Sequence, residues 1–132
     1  MNTKYLLVSS SVFLGFLGLL ALFVPEELLK ILSLPFTSPL PVLIQLLGAL
    51  YLSFALMNWT AKDNIIGGVY LRPISIANFS HFMIGALSLL NNQLSNGANL
   101  YFLSVSVVYA VFAIIFTWLV FFHTGIQKPG VN

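Results

Sequence analysis

The sequence predicts an all-α integral membrane protein, an antiparallel four-helix bundle with a short interfacial helix after the first span. Three observations predict it. Four apolar runs, at about residues 5–24, 42–61, 73–90 and 100–122, match the roughly 17–25 residues with which a helix crosses a hydrocarbon core about 30 Å thick. Charged residues make up only 6% of the 132 positions and hydrophobic ones 59%, whereas a soluble domain carries about 25% charge to clothe its surface. The five Lys or Arg and three Asp or Glu all lie outside those four runs. Together with a mean hydropathy of +1.00, this excludes a water-soluble globular enzyme and leaves room for a single membrane domain over residues 1–132.

The first span follows a positive start, Met1 to Lys4, that resembles a secretory signal. Its apolar run, Tyr5 to Val24, is about twice the length of a signal core and ends in Leu22, Phe23, Val24 and Pro25, without a small-residue cleavage pair. A retained span is expected. Pro25 stands where a helix begins, and Glu26 and Glu27 follow near the positive end of its dipole. That short helix runs to about Ser33, with Glu26, Lys30 and Ser33 on one face and Leu28, Ile31 and Leu32 on the other, as suits a segment lying in the interface plane. Pro35, Pro39 and Pro41 are expected to end it and to keep the connection extended as far as Val42.

A polar connection, Lys62 to Asn64, follows the second span. The third run is interrupted by Gly67, Gly68, Arg72 and Pro73. A kinked helix from Ile65 is one reading; a helix from about Pro73 is preferred. Proline is tolerated in a first turn, and an interfacial Arg72 avoids a penalty of about 2.5–3.5 kcal/mol at mid-bilayer. Asn91 to Asn99 reads as an uncharged polar loop, and the fourth span leads to a tail with His123 and Lys128. Counting cations predicts a multi-pass protein of the cell inner membrane with both termini cytoplasmic: Lys4, Lys62, Arg72 and Lys128 then lie inside and Lys30 outside. Tyr5, Trp59, Tyr70, Tyr101 and Trp118 fall near span ends and suit aromatic belts.

Small and weakly polar residues recur at spacings of three and four, which lets helices approach closely where lipid supplies no hydrophobic drive. The predicted seams are Val8, Ser11, Gly15, Gly18, Leu22; Gln45, Gly48, Leu52, Ala55, Trp59; Asn78, His81, Gly85, Ser88, Asn92; and Leu103, Ser106, Ala110, Ala113, Thr117.

Few residues carry chemistry. Without an intramembrane carboxylate the spans do not support a proton pump, and Glu26, Glu27 and Asp63 lie at opposite faces, too far apart for paired-carboxylate hydrolysis. Absent cysteine removes disulfides and thiolate metal sites; no metal and no cofactor is expected. A net charge of +2 gives nucleic acid no footprint. Haem held between His81 and His123 is disfavoured, because the two are about 12 Å apart in depth at 1.5 Å rise per residue. His81 is read as an interhelical hydrogen bonder to a hydroxyl or a carbonyl. Ser9, Ser10, Ser11, Ser104 and Ser106 lack an activating base and read as packing residues. What remains is an inner-face cluster: Asn58, Trp59, Tyr70 and Arg72, with Asn78 and His81 one to two turns deeper. An interfacial Arg beside aromatic and amide groups suits an oxyanion such as a lipid phosphate.

In size, four-span layout, short connections and near absence of intramembrane charge, and in the Asn58-Trp59 and Gly67-Gly68, Tyr70, Arg72-Pro73 stretches, the chain resembles small bacterial membrane proteins of the DoxX-like kind. The resemblance implies a bacterial inner-membrane bundle and carries over no functional residue. The leading expectation is a non-enzymatic protein that binds a lipid or small amphiphile, or docks a partner, at an inner-leaflet pocket formed by that cluster. A small transporter or redox-chain subunit using His81 is one alternative. A structural accessory subunit that meets a membrane-protein partner or a second copy through its seams is the other.

Overall fold

A computed structural model gives the fold of residues 3–63, 71–97 and 99–122, the residues described here. Every regular element among them is helical: α1 Thr3–Phe23, α2 Pro25–Ile31, α3 Pro39–Ala61, α4 Leu71–Asn96 and α5 Leu100–Phe122. All except α2 are long and apolar enough to cross a membrane. The chain divides into two compact units, Met1–Asp63 and Asn64–Asn132, and each is a helical hairpin in its own right.

In the first unit α1 and α3 run antiparallel. Ser11 Oγ donates to Ala55 O at 2.7 Å, Asn58 Nδ2 to Ser10 Oγ at 3.0 Å, and Gln45 Nε2 to Leu22 O at 3.3 Å, so the pairing descends α3 as it ascends α1. The closest approach is at Gly18 and Gly48. A Cβ on Gly18 would lie 2.9 Å from Gly48 O and from Leu52 N, and one on Gly48 would lie 2.9 Å from Gly18 O. Glycine is required on both sides, because backbone atoms that cannot swing aside form part of each wall, beside Leu52 Cγ and Ala21 Cβ. The seam agrees with expectation at Ser11, Gly18, Gly48 and Ala55, but Asn58 takes the buried place expected of Trp59. A step of three from Ala55 faces α1, whereas a step of four turns the ring outward.

Two prolines begin α3 instead of keeping the connection extended: the helix starts at Pro39, not Val42, with Pro41 in its first turn. A first-turn N–H has no acceptor within the helix, so a residue that lacks one loses nothing there. The short helix α2 ends in a Schellman motif, with Ser33 N–H bonded to Lys30 O at 3.0 Å and Leu34 N–H to Leu29 O at 2.9 Å. Ser33 adopts the left-handed φ of 55° that this motif demands. The expected apolar face of α2 is revised, for Pro25 and Leu29, one turn apart, are the buried pair, and Ile31 is exposed. The helix packs against both α1 and α3, and the residue facing that hairpin is Leu29.

In the second unit α4 and α5 are also antiparallel, as the pairs Phe79–Phe121, Phe82–Phe116 and Gly85–Tyr109 show. The seam here is aromatic. Phe82 is fully buried, stacked on Phe112 (ring centroids 4.7 Å) and Phe116 (5.7 Å) and edge-on to Tyr109 (5.2 Å). Ser75, Asn78, Phe82 and Ala86 are buried, so the expected line through His81, Gly85 and Ser88 is displaced by one residue, and Ser88 is exposed. On α5, Ser106 and Ala113 are buried as expected, joined by Tyr109, Phe112, Phe116 and Leu119.

The expected loop from Asn91 is helical as far as Asn96. At 26 residues α4 is about 39 Å long, longer than a hydrocarbon core, so its amide-rich end needs no apolar face. Asn96 Nδ2 donates to Asn92 Oδ1 at 2.8 Å, and Gly97 ends the helix with a φ of 84°. The turn is short because Gln93 and Asn99 bond reciprocally, Nε2 to O at 3.2 Å and N–H to Oε1 at 2.9 Å, while Asn99 Oδ1 caps α5 at Tyr101 N–H, 2.9 Å. Leu71, Arg72 and Pro73 lie in the first described turn of α4. Ile65, Gly67, Gly68 and Tyr70 fall outside the described residues, as do His123 and Lys128.

Candidate functional site

The six residues expected to form the site are divided between the units. Asn58 and Trp59 belong to the first and Arg72, Asn78 and His81 to the second, and Tyr70 lies outside the described residues.

At the open end of the first hairpin the polar groups are bonded to one another. Asn58 is 0% exposed. Its Nδ2 donates to Ser10 Oγ, and that hydroxyl in turn donates to Leu7 O at 3.1 Å. A carboxamide inside apolar helices is tolerated because it is hydrogen-bonded, and here it also ties α3 to α1. Trp59, next in sequence, is 47% exposed. The Lys62 ammonium lies 4.0 Å above its ring and donates to Trp59 O at 3.2 Å. Asp63 sits between two ammonium groups, 2.7 Å from Lys4 Nζ and 3.8 Å from Lys62 Nζ. The hydrogen bond from Lys4 holds the exposed Asp63 carboxyl below the usual carboxylate range. Both lysines at this end are therefore held by protein groups.

In the second unit the polar residues occupy the first half of α4. Ser75 Oγ donates to Leu71 O at 2.8 Å, and Asn78 Nδ2, on a residue 0% exposed, donates to Ile74 O at 2.9 Å. Such bonds to the carbonyl one turn back satisfy a polar group within its own helix. His81 meets the Tyr109 hydroxyl of α5 through Nε2 at 3.2 Å, its ring tilted over the tyrosine at 5.5 Å between centroids. This is the hydroxyl partner that the sequence anticipates without naming. Gly85, one turn on, admits the ring, because a Cβ there would run into Tyr109. With Nε2 turned to Tyr109, haem ligation through that nitrogen would require the contact to break. Among the described residues no group of three His, Cys, Asp or Glu side chains is placed to hold a metal ion.

Arg72 differs from the other described cations. Lys4 and Lys62 share Asp63, and Lys30 is paired with Glu27 at 2.7 Å. Arg72 is exposed in the first described turn of α4, in a unit whose sequence holds no Asp or Glu. A guanidinium, with five donors in a planar fork, is suited to an oxyanion from outside the chain.

Sequence reasoning missed Tyr109, Phe82 and the seating of Lys62 on Trp59. For Tyr109 a signal exists. A tyrosine in the middle of a span cannot reach the interface, so its hydroxyl needs a partner within the protein, and a mid-span histidine is the natural one. Comparison of the chain with protein-family models, with curated proteins and with solved structures gives no match.

Proposed function

We propose that this chain is a non-enzymatic multi-pass protein of a bacterial inner membrane, of the DoxX-like kind in its layout, that binds a lipid or small amphiphile at its inner-leaflet end. In this reading the four long helices form an antiparallel bundle with both termini cytoplasmic, and α2 lies in the plane of the opposite interface. The observation that carries it is the exposed Arg72 guanidinium, in a unit whose own sequence offers it no Asp or Glu. A phosphate or carboxylate headgroup answers it instead. Trp59, exposed at the end of α3, suits the headgroup level of that leaflet.

The orientation draws support from the first unit, where Lys4, Lys62 and Asp63 share one end of the hairpin and Lys30 belongs to α2, beyond the far end of α1. Cations concentrated at one end are what the positive-inside bias favours. Docking of a partner at this end is the other form of the proposal, since an unanswered guanidinium suits an acidic protein surface as well.

Native mass spectrometry from mild detergent separates the two. Wild-type protein is expected to retain a lipid-sized ligand, and Arg72→Ala to lose retention by about 10- to 100-fold, the equivalent of one charge-assisted contact of about 1.5–3 kcal/mol. Arg72→Lys should fall between them, because a point charge replaces a bidentate fork. Unchanged retention in a folded Arg72→Ala protein removes the lipid site, and a retained polypeptide in place of a lipid favours the docking form.

A further inference from the structure

The segment between α1 and α3 exposes large apolar side chains where a connection would ordinarily be polar. Ile31 is 51% exposed, Leu34 44% and Phe36 65%. Phe23 at the end of α1 and Val42 and Leu43 at the start of α3 are exposed as well. Both helices are long enough to cross a membrane, so the connection lies at the boundary between acyl chains and headgroups. Its backbone path is set: Leu29 and Pro25 are buried in the hairpin, and the Schellman motif with Ser33 at φ 55° reverses the chain before Leu34.

From this geometry we propose that the connection is a wedge seated in the phospholipid leaflet, with Ile31, Leu34 and Phe36 inserted between headgroups by apolar burial alone and without recognition of headgroup charge. The proposal rests on the reading of α2 as an interfacial helix and adds which residues enter lipid and what kind of lipid they accept. Two observations choose lipid as the occupant. The connection joins two helices long and apolar enough to span a membrane, whose ends at Phe23, Val42 and Leu43 are exposed and face lipid in a membrane-spanning chain, and large apolar side chains beside such ends anchor interfacial segments. Charge blindness follows from the segment's own charges: Glu26, Glu27 and Lys30 sum to minus one, and Glu27 closes on Lys30 at 2.7 Å. Recognition of anionic lipid instead takes a cluster of Lys and Arg.

The sequence contains no cysteine, so a single introduced thiol is a unique labelling site. Ile31→Cys, Leu34→Cys, Phe36→Cys, Leu28→Cys and Glu26→Cys proteins, each spin-labelled, are placed in vesicles of phosphatidylcholine with and without phosphatidylglycerol. Collision with oxygen, which concentrates in lipid, is compared with collision with a water-soluble nickel chelate. Labels at 31, 34 and 36 are expected to favour oxygen at a depth of about 5–10 Å into the headgroup–acyl boundary, and the label at 26 to favour nickel. The depths should agree between the two lipid compositions. Nickel-accessible labels at 34 and 36 overturn the wedge; if Leu28→Cys still favours oxygen, the interfacial reading of α2 survives, and if it favours nickel, both fail. Labels shielded from both reagents show a protein covering, a second copy or a partner, and also overturn it. A depth that changes in either direction with phosphatidylglycerol refutes charge blindness.

Discussion

The two hairpins solve one packing problem by opposite means. In the first, the backbones of α1 and α3 meet at Gly18 and Gly48, and serine and asparagine side chains bond across the crossing. In the second, Phe82, Tyr109, Phe112 and Phe116 fill the space between α4 and α5, and Gly85 makes room for a ring, not for a helix. Lipid tails are as apolar as leucine, so neither pair gains by hiding hydrocarbon from water. What is left is contact. One hairpin obtains it by bringing backbones together until polar groups reach, the other by interlocking large rings. The difference teaches that a glycine in a membrane span has no single meaning: its role depends on whether a backbone or a side chain stands opposite.

Substitutions break that comparison at different points. The largest expected effect is Phe82→Ala, which empties the centre of the aromatic seam. In lipid the transfer component largely drops out and the lost packing remains, so a destabilisation of about 3 kcal/mol is expected, at the low end of the soluble range. Reversible unfolding in mixed micelles, followed by helical circular dichroism, measures it. Next comes Gly18→Ala, at about 2 kcal/mol, an overpacking penalty. Its partner experiment is Gly85→Ala. Truncating the opposing ring with Tyr109→Ala should relieve the clash at Gly85 in a double-mutant cycle, whereas truncating Leu52 should not rescue Gly18→Ala, because Gly48 O and Leu52 N remain in place. Rescue in both hairpins would erase the distinction.

Smaller effects sharpen it. Ser11→Ala removes a cross-helix bond and should cost about 1 kcal/mol, and Tyr109→Phe should cost about 0.6 kcal/mol, near the average for intramembrane hydrogen bonds, since the ring keeps its stacking. A larger loss for Tyr109→Phe would mean that the His81 contact, not the rings, holds the second hairpin. The smallest effect is the pH dependence of the Lys4–Asp63 closure. Asp63 has its carboxyl pKa lowered in the folded protein, so its contribution is present above the unfolded value and is lost as pH falls through the folded one. Stability of the first hairpin should therefore decline slightly in acid, and Asp63→Asn should abolish that slope. Because the pair is exposed, added salt should weaken it as well.

Much of this architecture is legible in the sequence. The four spans emerge from hydropathy within a few residues, and the two larger departures have physical causes. Pro39 and Pro41 read as helix breakers because they are breakers within a helix, yet a first turn has no use for their missing N–H groups. Asn91–Asn96 read as a loop because they carry no apolar run, although a helix continues through water if its caps allow. The polar residues of the candidate site were found individually, since an amide or imidazole within an apolar run stands out. Their partners were not. Neither Ser10 as the acceptor for Asn58 nor Tyr109 as the partner of His81 follows from spacing along one helix.

The sequence by itself determined the membrane class and the number and approximate limits of the spans. These are sums over local runs and require no knowledge of what a residue touches. Only the tertiary structure decided which glycine meets a backbone, that Phe82 and not His81 occupies the buried line of α4, and that Leu29 holds α2 while Ile31, Leu34 and Phe36 remain outside. A helix presents many residues within reach of a neighbour at spacings of three and four. The choice among them belongs to the partner surface, which lies far away in the chain.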